Sequence, residues 1–180
     1  DVAASVRRTL GRLAIPAQGL IPPGLLGYSA AGPTREAGSP AAGSDSAVQA
    51  TVSRETTELS AAVHPIFFGE FSAFARELSE AFREMGFLIR PANKTMAEYL
   101  ELNRTAQVDL VIGRWGADYP DADTFVNSVM QSKAGFLGGY VGRPDLDRLI
   151  DQGRAETDPR VRHSLYRQVE ELIAREVHTR

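Results

Sequence analysis

Cysteine is absent from the 180 residues, which excludes disulfides, thiolate metal sites and thiol nucleophiles without identifying a compartment. Histidine is scarce: His64, His163 and His178 lie far apart in sequence, and no metal-spaced cluster exists, so neither a metal nor another cofactor is expected. No apolar run reaches the length of a membrane-spanning helix. An excess of positive charge is lacking too. Twenty Lys and Arg face 23 Asp and Glu for a net charge of -3, and the basic residues are dispersed, so nucleic acid is not an expected partner. No GxxxxGK pattern occurs, and the glycines of Gly135–Gly142 do not sit between a strand and a helix as a phosphate cradle requires. The opening Asp1-Val2-Ala3-Ala4 has neither an initiator methionine nor a signal peptide, and the expectation is a processed product or an excised domain.

What is present reads as a globular α/β chain. Apolar residues at 43% and charged residues at 24% are values for a chain that can bury a core. Residues 1–28 form an entry segment, with a short helix over Val2–Leu13 and then the proline-rich Leu20-Ile21-Pro22-Pro23-Gly24. Residues 29–55 are a Gly/Ser/Pro-rich excursion, and Ser29–Ser46 within it offers little to bury, which predicts loose packing. From residue 56 to 180 the elements become regular. Thr56–Val63 reads as a strand ending at His64-Pro65. Phe71, Phe74, Ala75, Leu78, Phe82 and Met85 recur at helical spacing before Gly86. Phe87-Leu88-Ile89 is a short strand, and Thr95-Met96-Ala97-Glu98 is a capping box that opens a helix to about Asn103. The order predicts a βαβαβ unit with parallel strands. Further helices are expected over Thr124–Met130, from Pro144, and from Asp158-Pro159. The last has Val161, Leu165, Val169, Leu172 and Ile173 as its apolar stripe, and Arg160, Arg162, Arg167, Glu170, Glu171 and Arg175 on a solvated face.

Val108–Phe125, VDLVIGRWGADYPDADTF, carries the densest chemistry. Its apolar opening Val108–Ile112 predicts a buried, central strand. The loop that follows holds Arg114, the sole tryptophan Trp115, Asp118, Tyr119, Pro120, Asp121 and Asp123. Loops at the carboxyl ends of such strands are where ligands sit. Aromatic and acidic groups together suit a partly apolar solute with a positive charge; the alternative is core aromatics with capping aspartates.

Three pieces in order, GRWGADYPDADTF, GYVGRPDLDRLID and TDPRVRHSLYRQVEELIARE, resemble the C-terminal part of the extracellular solute-binding proteins of family 5, the oligopeptide, dipeptide and nickel receptors of ABC importers. The matching residues are Trp115, Asp118, Tyr119, Asp121, Tyr140, Leu146, Asp147, Arg162, Leu165 and Tyr166, within roughly Thr56–Val177. The resemblance implies a periplasmic-binding-protein-like (type II) fold. Residues 1–180 would form a single incomplete lobe with a mostly parallel or mixed sheet and flanking helices. It implies that Asp118 pairs with a peptide's α-ammonium. In the family an arginine three residues before the tryptophan takes the ligand's carboxylate; here that position is Ile112, with Arg114 close but out of register.

The implied function is a non-catalytic substrate-binding lobe for peptides or another small cationic solute. Trp115, Asp118, Tyr119 and Arg114 would be its ligand-binding residues. Its partners would be ABC permease subunits and a second lobe of the parent protein. The location would be extracellular or periplasmic, membrane-associated in the parent. An alternative is the same module as a ligand-sensing or regulatory domain of a larger, cytoplasmic protein. A hydrolase using His64 with Asp118, Asp121 or Asp123 ranks last, since no serine elbow accompanies them.

Overall fold

A computed structural model of the chain describes residues 2–32 and 56–176. Most of the expected loosely packed stretch, residues 33–46, lies outside the described residues. The described parts of Asp1–Pro16 and Pro40–Arg114 form one compact unit, and those of Ala17–Ser39 and Trp115–Arg180 form another. The boundary in the regular part of the chain falls between Arg114 and Trp115.

The first unit opens with helix α1 (Val2–Leu10) and a 3-10 turn over Gly11–Leu13. Ser5 and Arg8 of α1 reach Glu77 on the next helix. Strand β1 (Thr57–Val63), helix α2 (Ser72–Glu84), strand β2 (Phe87–Pro91), helix α3 (Met96–Thr105) and strand β3 (Leu110–Ile112) then make the βαβαβ unit. All pairing is parallel, in the order β2-β1-β3. Helix α2 stops where Gly86 takes a left-handed φ of 86°, a conformation glycine adopts without steric cost. The Thr95–Glu98 capping box forms at α3. Within α3, Tyr99 and Asn103 are the buried residues, whereas Met96 and Leu100 are about half exposed.

Val108–Ile112 is not the central strand. Among the described residues β3 is at the sheet's edge and half-buried, and β1 lies in the middle with Ala61, Ala62 and Val63 almost wholly buried. The ladder also starts later than the apolar run. Asp109 Oδ2 accepts from both the Ser60 amide at 2.8 Å and the Ser60 hydroxyl at 2.7 Å, so a side chain replaces a backbone partner there. Small alanines in β1 let neighbours approach on both faces, and Phe67, Phe71, Phe74 and Ile89 supply the bulk around them. Beside β1, Asn93 completes the edge by accepting from the Val63 amide at 2.7 Å and donating to its carbonyl at 2.8 Å.

The second unit is helical: α4 (Asp123–Met130), α5 (Gly138–Val141), α6 (Pro144–Ala155) and α7 (Pro159–Glu176). Its core gathers Ile21 with Val126, Val129, Leu146, Ile150, Tyr166 and Val169. The glycines of the Gly135–Gly142 stretch serve close packing. A Cβ at Gly135 would lie 2.6 Å from the Gln131 backbone, one at Gly138 would press on the Gln131 and Ser132 backbone, and one at Gly142 on Ser132 and the Gly138 carbonyl. Asp147 holds the same turn through the Ser132 amide and hydroxyl.

The α7 expectation needs correction. Val161 is 45% exposed, while Glu170, assigned to the solvated face, is 3% exposed. Its Oε1 accepts from the Ile21 amide at 2.9 Å, and Arg167 donates to the Gly32 carbonyl at 3.1 Å. Residues 17–32 lie across that face, so these charges are tethers. Arg162 is likewise mostly covered.

Candidate ligand-binding loop

Trp115 to Asp123 is tied down by Thr124, a fully buried residue on the first turn of α4. The Trp115 indole Nε1 donates to the Thr124 carbonyl at 2.7 Å, and the Asp118 amide donates to the Thr124 hydroxyl at 3.4 Å. The indole also packs against Phe136, centroids 5.8 Å apart, and leaves 37% of its surface exposed. Tyr119 is 46% exposed, and its hydroxyl donates to Asp123 Oδ2 at 2.8 Å. That charged acceptor raises the phenol's pKa, because losing the proton would set two anions side by side.

The three aspartates have separate fates. Asp121 is gripped by Arg162, Nη1 to Oδ2 at 2.6 Å and Nη2 to Oδ1 at 2.8 Å. This fork-to-fork pair holds the Asp121 carboxyl below its usual range, the hydrogen bond from Arg162 being the chief cause, and raises the guanidinium's pKa. Asp121 Oδ1 also accepts from the Asp123 amide. Asp123 is buried and pairs with Arg154 Nε at 3.1 Å. Arg162 continues inward, donating to the Gly153 carbonyl and to the Tyr166 hydroxyl, both at 2.9 Å, and its guanidinium carbon lies 5.0 Å from the Tyr166 ring centroid. Burial pushes the Tyr166 phenol up to about 12.

Asp118 alone remains. Its side chain is exposed and has no hydrogen bond or ion pair among the described residues. The loop therefore offers one unpaired carboxyl group between two half-exposed aromatics in sequence, on a backbone anchored at Thr124. Such a group forms charge-assisted hydrogen bonds to a cation.

Of the four expected residues, Trp115, Asp118 and Tyr119 share this loop in the second unit. Arg114 belongs to the first unit, exposed, where its charge helps lower the pKa of His64, second to burial of the imidazole. His64 itself is a structural cap: Nδ1 accepts from the Ile66 amide at 3.2 Å and the ring meets Tyr99 edge-on. The sequence reading passed over Thr124, Arg154 and Arg162 as supports. The signal for them was the Asp-x-Asp-Thr run leading into α4. A shallow groove along α6, lined by Pro144, Asp147, Arg148, Asp151, Gln152 and Ala155, contains none of the expected residues. Among the described residues no helix is long and apolar enough to cross a membrane, and no group of three metal-ligating side chains occurs.

No family model matches the chain. In sequence, 88 residues are 25% identical to the periplasmic oligopeptide-binding protein OppA of Haemophilus influenzae, covering 49% of this chain and 16% of that protein. In structure, the periplasmic murein tripeptide binding protein MppA, in its unliganded open form, aligns over 98% of this chain and 35% of its own. The TM-score is 0.72 and the identity 15%. The A. tumefaciens R10 protein AgaA, in complex with agropinic acid, aligns over 96% and 35% with a TM-score of 0.66 and 18% identity. The fold is that of periplasmic binding proteins, and the chain spans about a third or less of the length of these relatives.

Proposed function

Over part of its length the chain is similar to the extracellular solute-binding proteins of family 5, and on that premise we propose that it supplies part of the substrate-binding portion of an ABC importer's receptor, non-catalytic and exposed to the periplasm. Its ligand is a peptide or another small cationic solute, and its working partners are a permease and the remainder of a receptor. Two of the three relatives named above, OppA and MppA, carry the names of oligopeptide- and tripeptide-binding proteins, which supports this ligand class. The observation that carries the proposal is the isolation of Asp118. Two of the loop's three carboxylates are committed to arginines, and the third, at the position that pairs with an ammonium in the family, is left open. Trp115 and Tyr119 would give the ligand apolar surface beside that charge.

The test is a titration of the full chain with tri-alanine and with N-acetyl-tri-alanine, followed by NMR at the Asp118 amide and the Trp115 indole N–H. An exposed ammonium–carboxylate pair contributes only ~0–1 kcal/mol, so binding should be weak yet saturable. It should weaken, by up to about fivefold, when the amine is acetylated or when Asp118→Asn removes the charge. Equal affinity of wild type and Asp118→Asn for tri-alanine would reduce Asp118 to a loop residue.

A further inference from the structure

From Trp115 to Asp123, only Trp115 and Tyr119 carry a side-chain hydrogen-bond donor. Both donors are engaged inside the protein. The indole N–H goes to the Thr124 carbonyl at 2.7 Å, and the phenol O–H goes to Asp123 Oδ2 at 2.8 Å. The raised pKa of that phenol keeps the proton on Tyr119, so its oxygen has only accepting capacity left for another group. The backbone is depleted in the same way. Pro120 has no N–H, and the amides of Asp118, Asp121 and Asp123 donate to Thr124 Oγ1, the Tyr119 carbonyl and Asp121 Oδ1.

The neighbouring cations are committed as well. Arg162 serves Asp121, Gly153 and Tyr166, while Arg154 pairs with Asp123 and donates to Asn127 Oδ1 at 3.4 Å. Three aspartates therefore face two guanidiniums, and Asp118 is the one left over. For a ligand, the side chains of this loop keep the Asp118 carboxyl group, a phenol oxygen and the carbon surface of two half-exposed aromatics. An amine finds acceptors there. A carboxylate finds no side-chain donor in the loop and an uncompensated like charge, and an unpaired charge is how a site rejects the wrong group.

We propose that this loop reads only the amine end of its ligand: it takes primary amines and peptide N-termini beside apolar carbon, and a carboxylate on the same ligand contributes nothing to binding or opposes it. Asp123, by holding the Tyr119 hydroxyl and Arg154, is the positioning residue that keeps donors out of the loop. This rests on the reading of Asp118 as the ammonium-binding group.

The experiment titrates the full chain near neutral pH and at low salt with tri-alanine, tri-alanine amide and N-acetyl-tri-alanine, followed by NMR at the Asp118 amide and the Trp115 indole N–H. The amide should bind at least as tightly as the free acid, and up to about fivefold tighter. Asp123→Ala releases the Tyr119 O–H and Arg154, so in that variant the free acid should gain on the amide, again by up to about fivefold. A merely structural loss would weaken both ligands alike and leave their ratio unchanged. A wild type that prefers the free acid overturns the proposal, whether or not Asp123→Ala folds. An unchanged ratio in folded Asp123→Ala overturns the role given to Asp123. Equal binding of tri-alanine and its acetylated form overturns the ammonium reading of Asp118 instead, while the comparison of acid with amide still decides whether the loop takes a carboxylate. A loop that responds to none of the three overturns both.

Discussion

Arg162 and Asp121 meet fork to fork across 41 residues of sequence, with two hydrogen bonds of 2.6 and 2.8 Å. The pair joins the candidate loop to the last helix, and through Gly153 and Tyr166 to the centre of the helical unit.

Acid should weaken that junction. The Asp121 pKa is depressed in the folded chain, so its contribution is fully present above the unfolded carboxyl value of about 4. It is lost as pH falls through the lower folded value. Replacing Asp121 by Asn should cost roughly 1.5–3 kcal/mol near neutral pH and flatten the stability curve in acid. Denaturant titrations of both proteins at several pH values between neutrality and the acid limit check this; parallel curves would refute it.

A helical glycine replaced by alanine usually gains about 0.5–1 kcal/mol. Gly153 should do the reverse. Its new methyl carbon would lie 2.7 Å from Tyr166 Cε1 and 3.1 Å from Cδ1, against a ring that is fully buried and tied to Arg162. Gly153→Ala is expected to cost roughly 1–3 kcal/mol through overpacking. A raised melting temperature would show that the ring can move aside.

Asn93 is the corresponding point in the first unit. Removing its amide in Asn93→Ala strands both the N–H and the C=O of Val63, a residue only 4% exposed. The expected loss is roughly 2–4 kcal/mol for two orphaned backbone groups. Hydrogen exchange at Val63 should accelerate more than exchange at Leu59; equal acceleration would mean the two bonds are not local supports.

His64 should titrate below its ordinary value of about 6.5, held down first by burial and then by Arg114. The unfolded chain then binds more protons between the two values, so stability falls as pH drops from about 6.5 and levels off below the folded pKa. Arg114→Gln should move the folded value upward. A NMR titration of the imidazole in both proteins is the check, and an unchanged midpoint would remove Arg114 from its surroundings.

Much of the secondary structure was legible because its signals are local. The Thr95–Glu98 box, Gly86 after the Phe71–Met85 stripe, and Pro144 and Pro159 at first helical turns each act within four residues of themselves. Centrality of a strand is not local. Val108–Ile112 outweighs Thr57–Val63 in apolar content, yet small residues in β1 are what admit neighbours on both sides. The face of α7 was misassigned for a related reason. Helical spacing identifies which residues share a side, but not that the segment around Ile21 would bury Glu170 or that Asp121 would cover Arg162. At the candidate loop the residue types were readable, and the sorting of its three aspartates was not, since it depends on arginines from α6 and α7.

The tethering of the Trp115 indole to Thr124 has an optical consequence. As the sole tryptophan, it makes the near-ultraviolet emission of the whole chain a reporter on the helical unit. Its 37% exposure leaves that emission open to quenchers. Collisional quenching by a neutral solute and by iodide therefore probes the loop's accessibility and, by the difference between them, the sign of its local potential.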